Sequence, residues 1–217
     1  MSVAIAPALA ALAGVAVGYF LGAIPIGLIV GRLAGVPDLR SYGSGKTGFT
    51  NALRNIGLRW AILVMAGDIA KGAAAVLACR LLLDSTPWAA ALAGAAAVLG
   101  HILPVFVGWR GGRGVSTAFG AFLAVAPPAA LAVVVFSAVV LVVWRYASLM
   151  SVVGVFVGFL AVIALVVTHH LAAEYLAFAL LTMLAVEISH VGNIRRLIAG
   201  TEPKLGQGGG QRPTAAH

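Results

Sequence analysis

The sequence predicts an all-α integral membrane protein, a bundle of about seven transmembrane helices with the N-terminus outside and the C-terminus in the cytoplasm. Three observations predict it. Of 217 residues, 62% are hydrophobic and 9% charged, with a mean hydropathy of +1.07, which excludes an ordinary soluble domain. The apolar residues come in runs of roughly 15 to 29, long enough to cross a bilayer core at varying tilt. The basic residues fall in the short polar segments that one face of such a bundle would share.

The first helix is expected over residues 5–33. No Lys or Arg precedes it, so it reads as a retained span rather than a signal peptide. Gly14, Gly18 and Gly22, then Gly27, Gly31 and Gly35, recur at four-residue spacing, which lets a neighbouring helix approach closely. Packing inside one bundle explains them better than a dimer seam, and Pro25 should kink the helix. A polar loop from Asp38 to Arg59 follows, with a short amphipathic helix expected over its second half. The second span is placed at 60–83, ending in a turn from Asp84 to Pro87, and the third at 88–107. A short fourth span, 115–126, ends at Pro127 and Pro128. The fifth, 129–144, leads to a turn at Arg145–Ser148. The sixth, 149–168, leads to a turn holding His169, His170 and Glu174, and the seventh, 176–189, leads into a basic tail. Residues 1–205 form one helical domain on this reading, and 206–217 a disordered Gly-rich cytoplasmic tail.

With this layout one face receives Arg32, Arg40, Lys46, Arg54, Arg59, Arg110, Arg113, Arg145, Arg195, Arg196, Lys204 and Arg212. The other receives Asp84 and Glu174, with Arg80 nearby. The asymmetry makes the basic face cytoplasmic. It also accounts for most of the net charge of +8 without invoking nucleic acid. Cys79 stands alone, so there is no intramolecular disulfide, and no motif asks for a metal or cofactor.

Three polar segments on the basic face carry the chemistry: Ser41–Arg54, Gly108–Gly114 and His190–Arg196. Glycine-rich backbone offers free N–H groups and arginine adds fixed charge, a combination that suits phosphate. The stretch Ser44-Gly-Lys-Thr47 is not a nucleotide-binding P-loop, because position 40 is Arg where the pattern needs Gly and no strand precedes it. Gly43, Gly45 and Gly48 still permit a turn with inward N–H groups, to which Ser44 and Thr47 add hydroxyls, with Asn51 and Arg54 a helical turn beyond. A solvated interfacial loop fits the same residues. In the second segment Arg110 and Arg113 flank Gly111 and Gly112 just before a helix N-terminus, a favourable place for an anion. In the third, His190 and Asn193 sit at i,i+3. His190 suits a general base, an oxyanion donor or an interfacial polar residue, and Glu187 is placed to orient it or an arginine. Asp68 and Lys71 are spaced to pair inside the second span as structural support. His169 and Glu174 mimic an acyltransferase box but carry the wrong acid on the wrong face.

Taken together these segments resemble the bacterial acyl-phosphate:glycerol-3-phosphate acyltransferase family. The family pattern Gly-Ser-Ile-Pro-x-Gly, then Tyr-Gly-Ser-Gly-Asn-x-Gly-Ala-Thr-Asn-x-x-Arg, is matched by Gly22-Ala-Ile-Pro-Ile-Gly27 and Tyr42-Gly-Ser-Gly-Lys-Thr-Gly-Phe-Thr-Asn-Ala-Leu-Arg54. Gly-His-x-x-Pro-Val-Phe and Lys-Gly-Gly-Lys-Gly-Val are matched by Gly100–Phe106 and Arg110–Val115, and the third family segment runs without a gap from His190 to Glu202. The stretches Asp68–Gly72 and Arg145–Ser151 also resemble family segments. Lys46 stands where the family has Asn, and Arg110 and Arg113 replace two lysines.

The resemblance implies transfer of an acyl group from acyl phosphate to the 1-hydroxyl of glycerol 3-phosphate, giving lysophosphatidate and inorganic phosphate. It implies catalysis by His190, Ser44, Arg113 and Asn193. Phosphate is then bound by Gly43, Ser44, Gly45, Thr47, Asn51, Arg54, Arg110, Gly111, Gly112, Arg113, Ser148, Ser151, His190 and Asn193. The expected setting is the bacterial plasma (inner) membrane with the site on the cytoplasmic side. Membrane lipid is the partner, a monomer the expected assembly, and no cofactor, metal or nucleic acid is expected. The competing reading is a transporter or channel for phosphate or a small organophosphate. Against it, the polar segments gather at one face and few ionisable residues mark a path across.

Overall fold

The computed structural model describes residues 7–83 and 87–207. The turn expected at Asp84–Ser–Thr and most of the expected tail, 208–217, lie outside the described residues. Nine α-helices are described: α1 Pro7–Ala23, α2 Ile26–Leu33, α3 Phe49–Asn55, α4 Leu58–Leu82, α5 Pro87–Ile102, α6 Val115–Val125, α7 Pro127–Trp144, α8 Ala147–Val167 and α9 Tyr175–Ile198. Six stretches are long and apolar enough to cross a membrane: Pro7–Leu33, Leu58–Leu82, Pro87–Val107, Pro127–Trp144, Ala147–Val167 and Tyr175–Ile198.

The expected seventh span is α6, and at 11 residues it falls short of that length. It rises only about 16 Å against a hydrocarbon core of about 30 Å. Its C-terminal end lies at one end of the bundle, and its N-terminal end starts part-way along α4, where Gly72 meets the Thr117 carbonyl. Gly114, its N-cap, packs on Val98 and Ile102 near the C-terminus of α5. At the other end Arg80, in the last turn of α4, donates to the carbonyls of Ala124 (2.6 Å) and Val125 (3.3 Å) and to the Tyr175 hydroxyl at the start of α9. The reason α6 is short is the segment before it, which folds back along the end of α5. There Gly111 N–H donates to the Ile102 carbonyl and Gly112 N–H to the His101 carbonyl, each at 3.2 Å.

Packing follows the glycine spacing. On α1 a Cβ at Gly14, Gly18 or Gly22 would meet the backbone carbonyls of Ala89, Ala93 and Ala97 on α5 in turn. This close approach supplies the van der Waals contact that stands in for a hydrophobic drive between helices in lipid. The series Gly27, Gly31, Gly35 does not form a second seam: Gly27 meets the Thr47 carbonyl, and Gly35 has φ +82° past the end of α2. Helices α4 and α6 approach reciprocally, Gly72 against the Thr117 carbonyl and Gly120 against that of Ile69. Exposed apolar side chains such as Leu12, Leu131, Val142 and Ile188 coat the outside, as a bilayer-facing surface requires.

Two boundaries differ from the sequence reading. Residues 5–33 are broken at Ile24–Pro25 rather than merely kinked, because Pro25 cannot donate to the helix ladder. The last helix runs on to Ile198 instead of stopping at Ser189, so the basic tail is the helix's own amphipathic end. It ends at Gly200, whose φ of +68° is the left-handed conformation that glycine adopts at a helix C-terminus.

Candidate active site

Asn51 builds the first wall. Its side-chain amide donates to the carbonyls of Leu39 (3.0 Å), Tyr42 (3.1 Å) and Lys46 (2.8 Å), and its Oδ1 accepts from Ser44 N–H at 3.0 Å. With a further bond accepted from the Asn55 side-chain amide at 3.1 Å, its polar atoms are taken up within the 39–55 segment, which fixes Ser44 and Lys46. Ser44 N–H goes to Asn51 and Gly45 N–H to the Tyr42 carbonyl, so these two donors serve the loop rather than pointing inward for an anion as expected.

The second wall is Arg113. Its carbonyl accepts from the Ser189 hydroxyl at 3.1 Å, tying the loop before α6 to α9. Gly112 seats against the ring of His101, whose Nδ1 is 3.2 Å from Asp68; Lys71 Nζ is 3.0 Å from the same carboxylate and donates to the Ile24 carbonyl at 2.9 Å. Asp68 and Lys71 thus pair on one helix face as their spacing predicts, with His101 as a third member. That cluster joins α4, the α1–α2 break and the loop that carries Arg113. Burial pushes the Arg113 guanidinium down to about 10, with Arg196 and Arg54 adding to the effect and Glu202 opposing it. Its Nε is buried without a hydrogen-bond partner.

The third wall comes from α8, α9 and the segment beyond. His190 and Asn193 share the buried face of α9. His190 Nδ1 lies 2.8 Å from the Val186 carbonyl and 3.3 Å from the Ser189 hydroxyl, so neighbours within α9, not Glu187, orient it. A carbonyl only accepts, which puts the proton on Nδ1 and leaves Nε2 with a free lone pair. Glu202, which sequence reasoning did not place in the site, accepts from Asn193 at 2.7 Å and from Arg196 at 2.8 Å. Burial pushes its carboxyl up, but the nearby Ser148 hydroxyl and the hydrogen bonds from Asn193 and Arg196 outweigh that and hold it below the usual range. Its only sequence signal was its place at the end of the third family segment.

These walls enclose two adjoining chambers. One, of about 490 Å³, is polar, with Ser44, Arg54, Arg113, Ser148, Asn193 and Glu202 among its lining residues. The other, of about 470 Å³, is mainly apolar; it descends between α6, α7 and α8 past Phe119, Val134 and Val155, and His190 and Ser151 face it near its polar end. Ser44, Lys46, Thr50, Arg113 and Ala147 line both, so the chambers share a neck.

Of the residues expected to bind phosphate, Gly43, Ser44, Arg54, Arg113, Ser148 and Asn193 meet around the polar chamber, and Asn51, Ser151 and His190 border the apolar one. Gly45, Thr47, Arg110, Gly111 and Gly112 line neither. Gly111 and Gly112 are consumed in packing on α5, and the Arg110 carbonyl accepts from Arg40 at the rim. His169 and Glu174 sit at the far end of the bundle, between α8 and α9. Lys46, given no role in the site by the sequence reading, and Asp68, read there as a structural partner of Lys71, both face the apolar chamber.

A family model described as "Glycerol-3-phosphate acyltransferase" matches residues 12–200. The chain belongs to this family. The glycerol-3-phosphate acyltransferase of Parasynechococcus marenigrum (strain WH8102) is 44% identical over 199 residues, covering 92% of each chain. That of Jannaschia sp. (strain CCS1) is 42% identical over 189 residues, covering 87% of this chain and 90% of the other. Two crystal structures of the integral membrane glycerol 3-phosphate acyltransferase PlsY share the architecture. The glycerol 3-phosphate form superposes with a TM-score of 0.80 at 35% identity, and the lysophosphatidic acid form with 0.78 at 33%; each comparison covers 89% of this chain and 94% of that one. As a member of this acyltransferase family, the chain is a multi-pass membrane enzyme.

Proposed function

We propose that the enzyme moves a fatty acyl group from acyl phosphate to the 1-hydroxyl of glycerol 3-phosphate, releasing lysophosphatidate and inorganic phosphate. The observation that carries this reading is the shared neck between a basic chamber and an apolar one. Glycerol 3-phosphate fits the basic chamber, its phosphate met by Arg54, Arg113, Ser44, Ser148 and Asn193. The acyl tail fits the apolar chamber, and the reacting carbonyl then falls at the neck. The forms named for the related PlsY structures, with glycerol 3-phosphate and with lysophosphatidic acid, support the same acceptor and product here.

Acyl phosphate is an activated anhydride with a good leaving group, so positioning and charge neutralisation suffice and no protein nucleophile is required. His190 offers Nε2 to the attacking hydroxyl's proton, and a substrate phosphate oxygen is the competing base. Gly43, Gly45, Thr47, Asn51, Arg110, Gly111 and Gly112 act on this reading through the loop geometry they enforce. The basic ends of the helices favour a site on the cytoplasmic side of the bacterial plasma membrane, and one chain supplies both chambers, so a monomer is sufficient.

Purified protein in detergent, given acyl phosphate and glycerol 3-phosphate, should form lysophosphatidate and phosphate, whereas acyl-CoA should give no turnover. Equal activity with acyl-CoA overturns the donor assignment. No product with either donor, together with phosphate flux into sealed vesicles, favours a transporter. If His190→Gln keeps near-normal turnover, the substrate phosphate is the base.

A further inference from the structure

We propose that Lys46 holds the phosphate of the acyl donor at the neck between the chambers and neutralises the charge that builds on it as it leaves. The inference rests on the two-substrate reading above and adds to it the residue that separates donor from acceptor. Of the side chains lining both chambers, two are cationic, Lys46 and Arg113. They face different company. Arg113 lies in the field of Glu202, Arg196 and Arg54, the charges of the polar chamber. The charges that bear on the Lys46 amine are those of Arg113 and Arg110, and among the described residues no carboxylate forms an ion pair with it. Asp68 lines the same chamber, but its carboxylate is already taken by Lys71 and His101. His190, from α9, borders that chamber as well.

A half-buried cation beside other cations and without an acid is unfavourable until an anion joins it. Burial, with Arg113 and Arg110, accordingly pushes the Lys46 amine below lysine's usual range. None of the described residues supplies the acid that would relieve it, which leaves that part to a ligand. Two phosphates have to be accommodated, and the acceptor's is matched to Arg113 and Arg54. The donor's phosphate is tethered to a tail in the apolar chamber, which puts it at the neck beside Lys46. Asn51 supports this placement, because it grips the Lys46 carbonyl at 2.8 Å and so fixes where the side chain starts.

The chemical step balances without any further reactant. The acceptor hydroxyl oxygen bonds to the acyl carbon, the bond from that carbon to the phosphate oxygen breaks, and the electron pair leaves with the phosphate. The hydroxyl proton passes to His190 Nε2 or to a phosphate oxygen. Lys46 donates hydrogen bonds to the departing oxygens and gives up no proton.

The test is initial-rate kinetics of the full chain in detergent, each substrate varied at saturation of the other, for wild type and for Lys46→Met, Lys46→Asn and Lys46→Arg. For Lys46→Met we expect kcat/KM for acyl phosphate to fall roughly 10- to 100-fold, the size a charge-assisted hydrogen bond confers, and for Lys46→Asn, which restores the family's residue and a neutral donor, a smaller fall, with KM for glycerol 3-phosphate little changed in both. Lys46→Arg should retain most activity and move the alkaline limb of the acyl-phosphate profile to higher pH, since guanidinium keeps its proton where an amine loses it. Thermal stabilisation by glycerol 3-phosphate, kept in the variants, shows that they fold; should one misfold, the other two decide. Full activity in Lys46→Met, a loss confined to glycerol 3-phosphate, or an unmoved alkaline limb in Lys46→Arg overturns the proposal and leaves the acyltransferase reading standing. Wild type inert toward acyl phosphate overturns both.

Discussion

Asn51 shows how much one residue can decide. Four of its side-chain hydrogen bonds fix the segment that presents Ser44 and Lys46 and a fifth comes from the Asn55 amide, so replacing it leaves three carbonyls and the Ser44 N–H without this partner. A fully buried unsatisfied group costs about 1–3 kcal/mol; only the Leu39 contact is fully buried and water can reach the rest, so Asn51→Ala should lose about 2–4 kcal/mol, read as a lower Tm, along with most activity. Glu202 gives a pH-dependent counterpart. Its carboxyl is held below the usual range by hydrogen bonds that outweigh burial, so its contribution to stability is complete above that range and lost as pH falls through the lowered value. The Tm advantage of wild type over Glu202→Gln should therefore be full at neutral pH, begin to fall as pH drops through the ordinary glutamate value of about 4.3, and be gone only below the lowered value. Arg113 works on the other side. It carries its charge at neutral pH and loses it through about 10, so affinity for inorganic phosphate should fall above that value. Arg113→Lys should bring the fall to lower pH, because lysine starts from about 10.4 and meets the same burial; an unchanged profile would remove Arg113 from the anion site. At this scale the sequence was partly legible. Ser44, Arg54, Arg113, Ser148 and Asn193 were named from the resemblance and do converge. Asn51 was named as a phosphate ligand, yet its polar atoms are spent on the loop, because a side chain that caps backbone and one that binds phosphate have the same composition.

At the scale of elements, glycine spacing was read for packing and the structure locates its partner in α5. This gives a sign-reversing pair of substitutions. In an exposed helix Gly→Ala stabilises by about 1 kcal/mol. Gly31→Ala, where a Cβ would make ordinary contact with Leu39 at 3.5 Å, should keep part of that gain. Gly18→Ala drives a methyl into the Ala93 carbonyl and should instead destabilise; thermal unfolding in detergent distinguishes them, and equal shifts would mean α1 does not seat on α5 this closely. The order of elements and most of their limits were legible because apolar runs and prolines punctuate the chain. Two features were not. Periodicity does not reveal that Pro104–Arg113 folds back along α5 and shortens α6, since that rests on Gly111 and Gly112 meeting backbone from a different helix. Nor does hydropathy show that α9 continues past Ser189, because its final turns are polar on one side while His190 and Asn193 stay buried on the other.

At the scale of the molecule, the described helices separate a basic, chambered end from a far end where Arg80 and Tyr175 meet. Such a layout suits a reaction whose substrates differ in solvent preference, one dissolved in lipid and one in water. It also makes orientation testable: single cysteines at Arg59 and at Leu171 in a Cys79→Ala chain should be labelled from opposite sides of sealed membranes, Arg59→Cys from the cytoplasmic side. The central claim is direct transfer between two substrates held side by side, with no acyl group resting on the protein. It is met most directly by mixing enzyme in molar excess with acyl phosphate alone, then adding glycerol 3-phosphate. Phosphate should stay at background until the second addition, after which phosphate and lysophosphatidate should appear in equal amounts. A burst of phosphate before glycerol 3-phosphate is present, or an acylated protein in the quenched sample, would contradict the account.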